Sequence, residues 1–131
     1  MVKRSLFLTI VALISAGFGL GLLVSPAAVL AQYGIALDAA GILTARFLAS
    51  ALIGQAVLFW MSRKDSDSPA MTGILWAGFV GNLMEGGVAK RAVMSGTMNS
   101  MGWSVVAMDV LIAIGFASYL FGKKSPSPQN P

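Results

Sequence analysis

Histidine and cysteine are both missing from this 131-residue chain. Without cysteine there is no disulfide, no thiol redox chemistry and no thiolate-held metal cluster, and the redox compartment leaves no mark on the sequence. Without histidine the commonest ligand for haem iron and transition metals is gone, and with it the commonest general base. Subunits that hold a pigment or haem through histidine are therefore disfavoured, and no cofactor is expected. Charge is scarce too. Only 11% of residues are charged and 56% are hydrophobic, whereas an average soluble domain is about one quarter charged. The formal charge of +4 does not point to nucleic acid, because the basic residues stand at the ends of apolar runs and form no single stripe.

What is present is apolar sequence in lengths that match a bilayer. A helix crossing about 30 Å of hydrocarbon needs about 20 apolar residues, and four such runs lie at about 6–24, 41–61, 70–89 and 101–121. They predict an all-α integral membrane four-helix bundle, up-down-up-down, that uses residues 1–124 as one unit. Residues 125–131 read as a disordered polar, proline-rich tail. The first run has a rival reading as a signal peptide within residues 1–31, with Val29-Leu30-Ala31 before Gln32 as the cleavage site. Its apolar stretch is longer than the 7–15 residues of a cleaved h-region, which favours a retained span.

Between the first two runs, Pro26 to Leu37 is moderately apolar, and Val29, Leu30, Tyr33 and Leu37 can form one face of a short interfacial helix. Asp38 is placed to cap the second span, Ser68 with Pro69 to open the third, and Asn99 or Ser100 to cap the fourth. Arg63 to Pro69 is the one strongly polar internal run and reads as a loop between antiparallel helices. Counting basic residues, Lys3, Arg4, Arg63, Lys64, Lys123 and Lys124 fall on one side and only Lys90 and Arg91 on the other. This bias predicts both termini on the cytoplasmic side of a cytoplasmic (inner) membrane. Trp60 and Tyr119 then sit near the inner interface and Trp103 near the outer one.

Three charges fall inside predicted spans: Arg46, Glu85 and Asp109. An unpaired charge there costs between about 2.5 and more than 10 kcal/mol, so partners are required. At about 1.5 Å per residue, Arg46 and Glu85 lie roughly 7–8 Å outward of the midplane and Asp109 about 3 Å. The expectation is a single layer in which the Arg46 guanidinium bridges to Glu85, Asp109 or both, with Asn82 helping. That layer reads either as glue fixing helix order or as a pathway for a proton, an ion or a polar ligand. Gln55 is expected to find an interhelical partner. Small residues four apart, Gly17 with Gly21, Ser50 with Gly54 and Ala77 with Gly81, read mainly as internal packing. Met94, Met98 and Met101 form a weak Cu(I) candidate, since thioethers are soft ligands, although flexible packing accounts for methionines in most apolar chains.

Pro26 and Gly34 between the first two spans, Ala45-Arg46 and Gly54 in the second, Trp60 and Arg63 at its close, and Trp103 and Asp109 in the last resemble small bacterial four-helix membrane proteins of the DoxX-like group. The resemblance spans most of the chain. It implies a four-helix membrane fold; some members of that group are linked to quinone-coupled redox work, but no quinone-binding signature accompanies the likeness here. Small multidrug exporters are of similar size, yet they carry an essential glutamate in the first span, where this chain has no ionisable residue. The leading expectation for function is a non-enzymatic structural or accessory subunit that packs on a larger membrane complex or on itself. The alternative is a carrier of a small ion, proton or polar solute that uses Arg46, Glu85 and Asp109, and the third is a quinone-linked membrane redox subunit. The expected partners are the lipid bilayer and other membrane subunits or copies of the chain.

Overall fold

The computed structural model describes residues 2–122, among which every regular element is helical. Five helices follow in order: α1 (Arg4–Val24), α2 (Pro26–Ala31), α3 (Ala39–Ser62), α4 (Pro69–Met94) and α5 (Gly102–Phe121). Each apolar run predicted as a span lies in one long helix, apart from Met101, and α2 occupies the start of the predicted interfacial segment. The predicted tail, residues 125–131, lies outside the described residues.

Three helices, α1, α3 and α5, are long and apolar enough to cross a membrane, which points to membrane association. The longest helix, α4, is not among them. Asn82 and Glu85 interrupt it, and Gly73, Gly78, Gly81, Gly86 and Gly87 dilute its apolar character.

Local chemistry sets the helix ends. At Ser25 the backbone leaves helical geometry, and Pro26, whose ring cannot continue a helix but suits a first turn, starts α2. The chain leaves α2 through a Schellman turn: Ile35 N–H donates to Leu30 O and Gly34 N–H to Ala31 O, each at 3.0 Å. Gly34 takes φ +76° there, and a Cβ on it would press on the Asn99 side chain. The predicted caps form: Asp38 accepts from Gly41 N–H at 2.7 Å and Ser68 from Met71 N–H at 3.1 Å. Asn99 accepts from Met101 N–H at 3.0 Å just ahead of α5.

The long helices associate as two pairs, α1 with α3 and α4 with α5. In the first pair Gly19 lies on the α3 backbone, where a Cβ would come within 3.2 Å of Ala49 O. Ala45, Ala49 and Ala56 are buried along the same seam. In the second pair Gly86 sits against Asp109 and Val106. Small residues let backbones approach closely, which matters most in lipid, where packing rather than the hydrophobic effect holds helices together.

The pairs meet at the end that carries the α1 N-terminus and the α5 C-terminus. There Leu8 and Val11 of α1, Phe59 of α3, Met71 and Leu75 of α4 and Ile112 and Phe116 of α5 form one core. Phe116 is fully buried, with Phe7 edge-on at 4.9 Å and Phe59 at 5.5 Å between ring centroids. Two glycines make the notches: a Cβ at Gly78 would overlap the Phe116 ring, and one at Gly115 would overlap Phe7. Arg4 pairs with Asp67 and donates to Asp65 O at 2.6 Å, and the Tyr119 hydroxyl donates to Val2 O, which ties both pairs and the α3–α4 loop together.

Of the small residues read as packing signals, Gly21 meets Val29 of α2, whereas Gly17, Gly54 and Gly81 have open space where a Cβ would stand. Contacts between the long helices fall at Gly19, Gly78, Gly86, Gly102 and Gly115, because contact follows the face each helix turns inward rather than any four-residue spacing.

This difference is testable by thermal unfolding in detergent. Gly78→Ala is expected to destabilise by about 1–3 kcal/mol, as overpacking against a ring held from three sides does. Gly81→Ala, one turn along and in open space, is expected to stay within about 0.5 kcal/mol of the parent or to gain slightly in helix propensity.

Candidate functional site

Away from the shared core the two pairs separate, and a cavity of about 520 Å³ lies between them. Its walls are set by helical periodicity. On α5, Val105, Met108, Asp109 and Ile112 recur at intervals of three and four, and on α4 Asn82, Glu85, Ala89 and Ala92 do the same. Across from them α1 contributes Ser15 and Phe18, and α3 contributes Leu48, Leu52 and Gln55. Leu30, Tyr33 and Ile35, brought in by the Schellman turn, close the end nearest α2. Asn99 holds that closure in place: its side-chain amide donates to Gln32 O and its backbone N–H to Tyr33 O, both at 2.9 Å.

The charged side chains of the cavity are acidic. Glu85 and Asp109 both line it, and no lysine or arginine does. Asp109 is only 3% exposed, and its Oδ2 has no hydrogen-bond partner. Asn82 is buried close by but donates to Gly78 O on its own helix at 2.8 Å. Gln55 faces the cavity from α3, where it makes no interhelical hydrogen bond.

The expected bridge from Arg46 to the acids does not form. Arg46 is exposed, and its Nε donates to Leu23 O at 3.3 Å. The one ion pair among the described residues is Arg4 with Asp67. The reason is rotational. At 3.6 residues per turn, Arg46 lies about 150° round α3 from the stripe formed by Leu48, Leu52 and Gln55. Similar depth in the bundle therefore does not bring the guanidinium to the acids. Leu23 O is among the last four carbonyls of α1, which lack helical partners, so Arg46 sits as a cation at a helix C-terminus.

A family model described as a domain of unknown function (DUF8292) matches residues 9–119. The chain belongs to that family. No curated protein matches it, and no solved structure does. The segment shared with the DUF8292 family takes in every residue that lines the cavity.

The three methionines of the Cu(I) candidate differ in exposure. Met98 is half-buried and lines the cavity, whereas Met94 and Met101 are exposed. Sequence reasoning missed the cavity itself and its aromatic members Phe18 and Tyr33. The available signal was that Ser15, Gln55, Asn82, Glu85 and Asp109, the polar interruptions of four apolar helices, all turn toward one another.

A double-mutant cycle on thermal stability tests the separation of Arg46 from the acids. Arg46→Ala is expected to cost about 0.3–1 kcal/mol, the worth of a cation at a helix end. Combined with Glu85→Gln its effect is expected to add within about 0.5 kcal/mol. A larger coupling energy would show that the two side chains meet.

Proposed function

We propose that this is a four-span membrane protein, up-down-up-down with both termini cytoplasmic, that binds a small solute between its helix pairs and carries it through the cytoplasmic membrane. One observation carries the reading: a cavity of about 520 Å³, within the 300–1,000 Å³ of small-molecule sites, whose wall includes a buried carboxylate, Asp109, with an unpartnered Oδ2. A group that costs this much to bury persists where a ligand or proton completes it. Asp109 is the primary binding group and Glu85 the second, with Asn82 and Gln55 orienting the solute. Arg46 takes no direct part.

The membrane topology is supported by the exposed apolar faces of the long helices, among them Phe47 and Leu111, and by the basic residues gathered at the terminal end. Because the chain has no cysteine, single substitutions report topology directly. Thr97→Cys in the α4–α5 loop is expected to react with a membrane-impermeant maleimide in intact cells. Ser66→Cys in the α3–α4 loop is expected to react only after the membrane is opened. The reverse pattern overturns the orientation.

The binding role is tested with a thermal-shift panel of inorganic cations, organic amines, neutral solutes and anions on purified protein. At least one compound is expected to raise the melting temperature of the parent and not of Asp109→Asn, and a ligand at one hundred times its Kd adds about 2.7 kcal/mol. Proteoliposomes are expected to accumulate that compound in an Asp109-dependent manner. A panel that does not distinguish the two proteins removes the proposal.

A second reading, an accessory subunit of a larger membrane complex, is favoured by the crevice of about 400 Å³ on the other side of α1, where Gly17, Phe18 and Met108 leave room for a foreign helix. A stoichiometric partner isolated with the protein in mild detergent would support it.

A further inference from the structure

The ligand class can be narrowed by how the cavity opens. Its rim includes Leu48 of α3 and Met84 and Val88 of α4, all three exposed on the outer surface of the bundle as well as lining the space within. The α3 and α4 helices belong to different pairs, and their backbones barely approach each other, which places the side window of the cavity in the gap between them, beyond the shared core. If the long helices cross a membrane, this window faces the acyl chains. The α2 end, by contrast, is covered by Leu30, Tyr33 and Ile35 under the Asn99 tether. A solute thus meets an apolar side window before it meets a carboxylate.

Inside, the order of chemistry is the same. Phe18, Leu52, Met108 and Ile112 supply apolar wall, Phe18 and Tyr33 supply ring faces, and the charged groups are Glu85 and Asp109 with no basic side chain beside them. A carboxylate in a medium of low dielectric repels anions, leaves a neutral apolar solute nothing to satisfy it, and is stabilised by a cation. A small hydrated metal ion fits the acids but not the walls, which would strip its water and return few ligands. Among the described residues no group of three or more acidic side chains is placed to hold a metal ion. An organic cation with an apolar body satisfies both parts, with its charge at Asp109 and its body against the walls, where ring faces add cation–π attraction. A two-chain aminolipid is a poorer match, because its phosphate would come against Glu85.

We propose that the cavity is a site for hydrophobic organic cations, amines on an apolar body, that enter sideways between α3 and α4 and are held by Asp109 with Glu85. This rests on the solute-binding reading above and names the substrate class of that same site.

The test uses the full-length protein in nanodiscs of neutral lipid, titrated calorimetrically with tetraphenylphosphonium. Three comparison compounds separate the contributions: tetraphenylborate has the same shape with opposite charge, choline has the charge without the apolar body, and sodium is a bare cation. Saturable binding of tetraphenylphosphonium is expected, at least tenfold weaker in Asp109→Asn, with no saturable binding of tetraphenylborate and at least tenfold weaker binding of choline. Leu52→Trp, which fills the apolar part and leaves both acids in place, is expected to weaken tetraphenylphosphonium binding at least tenfold as well, and covers the case in which Asp109→Asn fails to fold. Equal binding of phosphonium and borate, or binding unaffected by Leu52→Trp, overturns the proposal. If sodium or choline binds in an Asp109-dependent way while tetraphenylphosphonium does not, the ligand class is wrong and the solute-binding role stands. If no compound binds in an Asp109-dependent way, both fall.

Discussion

The seat of the Phe116 ring against the bare backbone of α4 at Gly78 is the contact on which the rest of the structure depends. Phe116 meets Phe7 from α1 and Phe59 from α3, so one side chain joins all four long helices. Elsewhere each helix pair is largely self-contained. The junction succeeds because glycine on α4 and α5 lets two aromatic rings lie where side chains would otherwise stand. In lipid, where apolar surface gains nothing from leaving water, such close packing is the chief attraction available.

Confining the joint to one end has a direct result at the other. Two helix pairs that converge at the terminal end and lean apart leave space between them, and α2 with its Schellman turn covers that space at the far side. The placement of the buried Asp109 follows from this geometry. Asp109 packs its Cβ against Gly86 on α4 at the wall of the gap, with its Oδ2 buried and without a hydrogen-bond partner. Five polar interruptions of the apolar helices, Ser15, Gln55, Asn82, Glu85 and Asp109, line the part where the bundle is incomplete.

Much of the fold is legible in the residues. The long helices are written in apolar length, and two of their starts in Asp38 and in Ser68 with Pro69. The rotation of the charges about the helix axes was not legible. Arg46 faces away from the acids and bonds to Leu23 O, and only the packing of α3 on α1 through Ala45 and Ala49 decides that. For the same reason Gly17 and Gly81 looked like packing signals while Gly78 and Gly115 did not. A glycine's role depends on which ring lies across from it, and that ring is distant in sequence. The α1–α3 and α4–α5 seams run through alanine and glycine, whose low information content hides the inward face.

Taken mechanically, the molecule is a lever pair with its fulcrum at Phe116. The arm from Phe116 to the start of α5 at Gly102 is about 21 Å, so a rotation of about 5° at the fulcrum moves the opposite tip by about 2 Å. Among the described residues, the hydrogen bonds that join the pairs at that tip are the two from Asn99 to the carbonyls of Gln32 and Tyr33. A change in the width of the side window thus works against a pair of ordinary hydrogen bonds, each worth about 1 kcal/mol net, at the long end of the arm.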